Sequence, residues 1–154
     1  MSSRLEIYTD GACSGNPGPA AVGVVIVQDG KKIKEISKVI GEATNNIAEY
    51  SALICALQEA LLLKARQLVI FTDSELMHRQ VIGQYKVKNQ VIQLLFDQVG
   101  QLIGEFESVE INHVPREQNK DADRLATQAL KNNRIKMVAS SFSNDGEESP
   151  SSTG

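Results

Sequence analysis

The order of patterns along this chain predicts a single α/β domain: a mixed five-stranded sheet, three antiparallel strands followed by parallel ones, flanked by helices. Three observations carry that prediction. Residues 4–40 read as strands broken by Gly, Pro and the Asp29-Gly30 pair, a long run of helix formers begins at Thr44, and from there helical and strand patterns alternate. At 154 residues the chain has room for one ordinary hydrophobic core but not comfortably for two.

RLEIYTDGA reads as a first strand that ends in a turn, and SGNPGPAA supplies Gly and Pro punctuation before a second strand, VGVVIVQ. Asp29-Gly30 is a hairpin signal. The next segment, KKIKEISKVI, is β-branched and charged, as suits an edge strand that must not aggregate, although its alternation is imperfect. From Thr44, NNIAEYSALICALQEALLLKA has no internal Gly or Pro and is apolar on most sides, which predicts a helix packed across the sheet. QLVIFTD has the uninterrupted apolar character of a buried parallel strand, and the segment after Ser74 reads as helical. Gly83 and YKVKN mark a break before a helix over NQVIQLLFDQVGQLI. SVEINHVP is the last strand and NKDADRLATQALKNN the last long helix, with Asn119 its expected N-cap. The expected boundaries are a folded domain over 1–139 and an acidic, Ser-rich tail over 140–154, whose composition cannot build a core and which is expected to be disordered.

Composition narrows the function classes. Hydrophobic residues at 42% and charged residues at 23% describe a globular protein, and no apolar run is long enough for a bilayer span. With no signal-type apolar core at the N-terminus, the expected address is the cytoplasm, with no membrane association. Cys13 and Cys55 give neither a disulfide framework nor a C-x-x-C spacing, so a structural zinc is not expected. GACSGNPGP lacks the Gly-Lys-Ser or Gly-Lys-Thr ending of a P-loop and leads into a strand, which argues against a nucleotide cradle. The net charge of −3 is carried by the tail, leaving residues 1–139 neutral.

Asp10 and Asp73 each follow a hydrophobic strand run as Thr-Asp, in IYTDG and IFTDS, so their carboxylates converge if the two strands are neighbours. Two anions in one place repel unless protonated or neutralised, and carboxylates around an open position suit Mg²⁺. Glu49 lies early in the first long helix and Asp123 in the first turn of the last, which allows four carboxylates to meet. Singly, each has an ordinary reading as a turn residue or a solvent-facing helix residue. Asn45, one turn before Glu49, projects toward the same face.

TDGACSGNPGPAAVGVVI, TNNIAEYSALICAL, IFTDSELM and NKDADRLATQAL, in that order, resemble the opening strand, central helix, fourth strand and last helix of type 1 ribonucleases H. The resemblance runs from about Leu5 to Leu130. It implies a ribonuclease H-like fold and an endonuclease that cuts the RNA strand of RNA–DNA hybrids, leaving 5′-phosphate and 3′-hydroxyl ends. Asp10, Glu49, Asp73 and Asp123 would hold two Mg²⁺ or Mn²⁺ ions, one activating water and one stabilising the leaving oxygen. It further implies that Glu49 contacts a ribose 2′-hydroxyl, that Gly11, Asn16, Asn45 and Asn46 meet the substrate groove, and that Thr44 holds a DNA-strand phosphate. Helix capping is an equal alternative for Thr44 and Asn45.

The sequence also departs from the family. Many members carry a histidine in a loop after the last strand. His113 has the matching spacing from Asp123, yet it alternates with Val109 and Ile111 on one strand face, which favours a structural role and leaves Arg116 or Glu117 at the loop position. Arg116 is therefore a candidate phosphate contact, and His78 reads as an ordinary helix residue. Neither a separate hybrid-binding domain nor a basic helical protrusion is expected: only Arg79, Lys86 and Lys88 surround the protrusion site, and Glu42 stands where some members place an arginine. Weak, salt-sensitive binding by a monomer follows. Two alternatives stand beside this: a module that binds hybrid or RNA without cutting, and a same-fold nuclease that also cuts double-stranded RNA.

Overall fold

A computed structural model of the protein describes residues 3–145. Three strands come first, β1 (Arg4–Cys13), β2 (Gly18–Gln28) and β3 (Lys31–Ala43), then helix α1 (Asn45–Leu62) and strand β4 (Gln67–Thr72). Helices α2 (Glu75–Val81) and α3 (Gln90–Ile103) lead to β5 (Ser108–His113), a 3₁₀ turn over Arg116–Gln118, and α4 (Lys120–Asp145). The sheet order is β3-β2-β1-β4-β5, antiparallel across the first three strands and parallel across β1, β4 and β5, as the sequence predicts.

The Asp29-Gly30 pair closes β2 onto β3 with φ of 51° and 79°, the left-handed pair of a type I′ hairpin turn. β3 is an edge strand, and its imperfect alternation has a physical cause. The register to β2 skips Ile40 between Gly41 and Val39, and Ile33 between Lys34 and Lys32, so two bulges reset which face its side chains take. β1 and β2 are longer than the sequence patterns suggest, because pairing such as Cys13↔Ala20 carries strand through what reads as turn punctuation.

α1 buries Ala48, Tyr50, Leu53, Ala56, Leu57 and Ala60 against the sheet and the α3 side. Its start is capped by Thr44, whose Oγ1 accepts from Ile47 N at 3.2 Å, while Ser74 and Asn89 cap α2 and α3. α4 covers the opposite face, with Ala122 and Leu125 against Val25, and Ala129 and Leu130 against Ala21. Gly23 makes this contact close: a Cβ there would lie 2.1 Å from Ala122 O, so only a bare backbone lets α4 lie flush on β2. α4 continues to Asp145, so residues 140–145, assigned from composition to the tail, are helical; an anchored helix propagates at little cost per residue. Residues 146–154 of that expected tail lie outside the described residues. Among the described residues no helix is long and apolar enough to cross a membrane.

Candidate metal centre

Parallel pairing of β1 with β4 ends at Thr9↔Thr72, and the next residue on each strand is an aspartate. Asp10 stays in the β1–β2 ladder opposite Gly23, whereas Asp73 leaves its strand toward α2. The parting of two neighbouring strands thus sets two carboxylates side by side, as expected at the carboxyl end of a parallel pair. Glu49 reaches them from the second turn of α1, and ligand oxygens of Asp10, Glu49 and Asp73 lie within 4.8 Å of one another. Asp123 lines the same hollow, of about 250 Å³, together with Gly11, Cys13, Asn45 and Arg116, but falls outside that tight trio.

Gly11 explains how α1 comes so near. A Cβ at this position would meet Ala48 C at 2.2 Å and Ala48 O at 2.3 Å, and the glycine N–H donates to Glu49 Oε1 at 3.1 Å. Its amide is therefore engaged within the protein. Asp10 is only 4% exposed, and burial, followed by the charges of Glu49 and Asp73 and the hydrogen bond with Asp123, pushes its carboxyl up to about 9. Burial and then Asp73 push Glu49 up to about 8, against the opposing pull of the Gly11 N–H and Arg116. Among the described residues, Arg116 is the one basic side chain lining the hollow. The donor set is all carboxylate oxygen, crowded and under-neutralised, which fits a hard divalent cation such as Mg²⁺ or Mn²⁺.

The other candidates divide. Asn45 lies on the rim, exposed, with its N–H donating to Asn16 Oδ1 at 3.0 Å and its Oδ1 accepting from Cys13 Sγ at 3.1 Å. Thr44 serves as a cap, and Asn46 turns away: its Nδ2 donates to Gln80 Oε1, which also accepts from Tyr50 OH at 3.0 Å. Arg116 comes within 3.7 Å of Asp123 Oδ1, whereas Glu117 lines a separate hollow with Tyr8 and Lys32. His113 sits beside His78, rings 6.0 Å apart, and His78 Nε2 lies 3.1 Å from Ile111 O, so His78 ties α2 to β5 and is more than an ordinary helix residue.

Three residues were missed by sequence reasoning: Cys13, Gln80 and Asn119. Asn119 does not cap α4 with its side chain as expected, because it is buried at 1% exposure and its Nδ2 donates to Thr9 O and Asp73 Oδ2, each at 2.9 Å. Its place four residues before Asp123 was the available signal.

Residues 8–129 match the family described as reverse transcriptase-like. The Ribonuclease HI of Halobacterium salinarum is 41% identical over 128 residues, covering 82% of this chain and 64% of that protein. The crystal structure of RNase H1 from the same organism superimposes with a TM-score of 0.82, covering 84% of this chain and 98% of that one. LC11-RNase H1, solved in complex with RNA/DNA hybrid, gives a TM-score of 0.79 at 40% identity, covering 83% and 97% of the two chains. The Bifunctional protein Rv2228c of Mycobacterium tuberculosis is 38% identical over 129 residues, 82% of this chain, which spans only 35% of that protein's length.

Proposed function

The chain belongs to the type 1 ribonuclease H family, and on that footing we propose that it is an endoribonuclease that hydrolyses the RNA strand of RNA–DNA hybrids to 5′-phosphate and 3′-hydroxyl ends. The observation that carries the proposal is the meeting of Asp10, Glu49 and Asp73 oxygens within 4.8 Å, with Asp123 in the same hollow. The likeness to a relative solved in complex with RNA/DNA hybrid supports the substrate.

Two bound Mg²⁺ or Mn²⁺ ions would supply an activated water and neutralise charge on the leaving oxygen. Asp10, Glu49, Asp73 and Asp123 would hold that pair. Glu49, steadied by the Gly11 N–H, also presents its carboxylate to the ribose 2′-hydroxyl, the group by which RNA differs from DNA. Asn45 and Asn16, linked on the rim, meet the minor groove, with Asn46 behind them and Thr44 near a DNA-strand phosphate at the start of α1. Arg116 faces the scissile phosphate from the open side of the hollow and opposes its charge. The enzyme acts as a monomer in the cytoplasm, a compartment that suits its two free cysteines.

Labelled hybrid, double-stranded RNA and double-stranded DNA, incubated with Mg²⁺ or Mn²⁺ alongside Asp73→Asn, test the proposal. Metal-dependent cleavage of the RNA strand, abolished by the substitution, is expected. Hybrid binding without cutting identifies a recognition module instead, and cleavage that survives Asp73→Asn removes the carboxylate mechanism.

A further inference from the structure

Asn119 lies behind the acidic hollow, bonded to the Asp73 carboxylate and to backbone at Thr9 and Asp123. Its Nδ2 donates at 2.9 Å to the carbonyl of Thr9, the residue before Asp10, and at 2.9 Å to Asp73 Oδ2. Its own carbonyl accepts from Asp123 N at 3.1 Å, the first-turn bond that fixes where Asp123 stands on α4. We infer that Asn119 is a positioning residue: one buried amide locks the Asp73 carboxylate to the end of β1 and, through the first turn of α4, sets Asp123 against it.

An amide NH₂ has two protons, and both are used here, so turning the group over would set Oδ1 against two acceptors. The orientation is therefore forced. Oδ1 is buried and accepts no hydrogen bond, although the amides of the α4 first turn are the usual partners of such a residue. The residue leaves an acceptor unpaired to keep both donor contacts, which marks orientation of Asp73 rather than helix capping as its task. A purely mechanical reading, in which Asn119 only staples α4 to the sheet, predicts loss of stability alone.

The inference rests on the proposed reading of the cluster as a divalent-metal site. Its test measures Mn²⁺ and Mg²⁺ binding to the intact chain by calorimetry, for wild type, Asn119→Ala and Asn119→Ser, with the metal concentration for half-maximal hybrid cleavage as a second readout. Asn119→Ala weakens metal binding roughly 10–100-fold and moves the half-maximal metal concentration in step, with a smaller change in kcat at saturating metal. Asn119→Ser, which retains a single donor and the smaller cavity risk, falls between. Variants that melt earlier but bind metal as wild type does overturn the inference and leave the nuclease reading intact. A wild-type chain that binds neither metal removes the reading and the inference together.

Discussion

Gly11 N donates to Glu49 Oε1 at 3.1 Å, and this bond joins the first strand to the central helix at the point where both enter the acidic hollow. The contact exists only because position 11 has no side chain. In Gly11→Ala the added carbon falls 2.2 Å from Ala48 C, backbone that cannot turn aside. Strain of this kind costs roughly 1–3 kcal/mol, and each kcal/mol lowers Tm by about 2–4 °C in a domain of this size. Calorimetry with cleavage measured well below the lowered Tm should show both a less stable protein and a slower one; an unchanged Tm contradicts the close approach.

The metal-free protein should lose stability as pH rises. Asp10 and Glu49 have folded-state values of about 9 and about 8, raised from 3.8 and 4.5, chiefly by burial. The native state thus keeps protons that the unfolded chain releases, and stability falls as pH climbs from about 4 to about 9. Urea unfolding in chelator at several pH values reads this directly. Asp10→Asn should be more stable than wild type at neutral pH without metal, and added Mg²⁺ should flatten the wild-type profile. Stability that increases across that window would count against mutual repulsion in the cluster.

Arg116 approaches Asp123 to 3.7 Å, while Glu117 and His113 face elsewhere. Arg116→Ala should slow cleavage roughly 10-fold, through lost stabilisation of charge at the phosphate, with Arg116→Lys recovering part of it. His113→Ala and Glu117→Ala should stay within about twofold of wild type, since neither removes charge at the reacting phosphate. A dominant effect of His113→Ala on kcat would reassign the helper role to the histidine.

Hybrid binding by the inactive Asp73→Asn variant should weaken steeply between about 50 and 200 mM salt. Of the three basic residues expected around the protrusion site, Arg79 is already engaged by Glu75 and Gln84, which leaves Lys86 and Lys88 to supply long-range attraction. Fluorescence anisotropy on Lys86→Ala and Lys88→Ala should each reduce the salt slope by about one. Slopes identical to wild type would place the phosphate contacts on other residues.

Most of the fold was legible because local signals agreed with one another. Asp29-Gly30 specified its hairpin, and the run from Asn45 specified its helix. The four carboxylates were legible as a set through the family-like motifs that contain them; their places at strand ends or in early helical turns only allowed them to meet. Side-chain amides were not. Asn119 has the sequence context of a cap, yet burial gives it Thr9 and Asp73 as partners, and half-buried Asn46, expected to meet the substrate, donates to Gln80 in the structure. An amide can serve either purpose, and the choice depends on partners far away in the chain. The bulges at Ile33 and Ile40 were hidden for a related reason: a bulge is a property of the pairing of two strands and leaves little trace in either alone.

Gly23 stands opposite Asp10 in the ladder and directly beneath Ala122, the neighbour of Asp123. The gap between two of the acidic groups is therefore gauged by a missing methyl on a third element that carries no charge. A residue with no chemistry of its own acts as a shim. Thickening it, even by one carbon, would lift the start of α4 and widen the space between Asp10 and Asp123 while every carboxylate stays unchanged in identity.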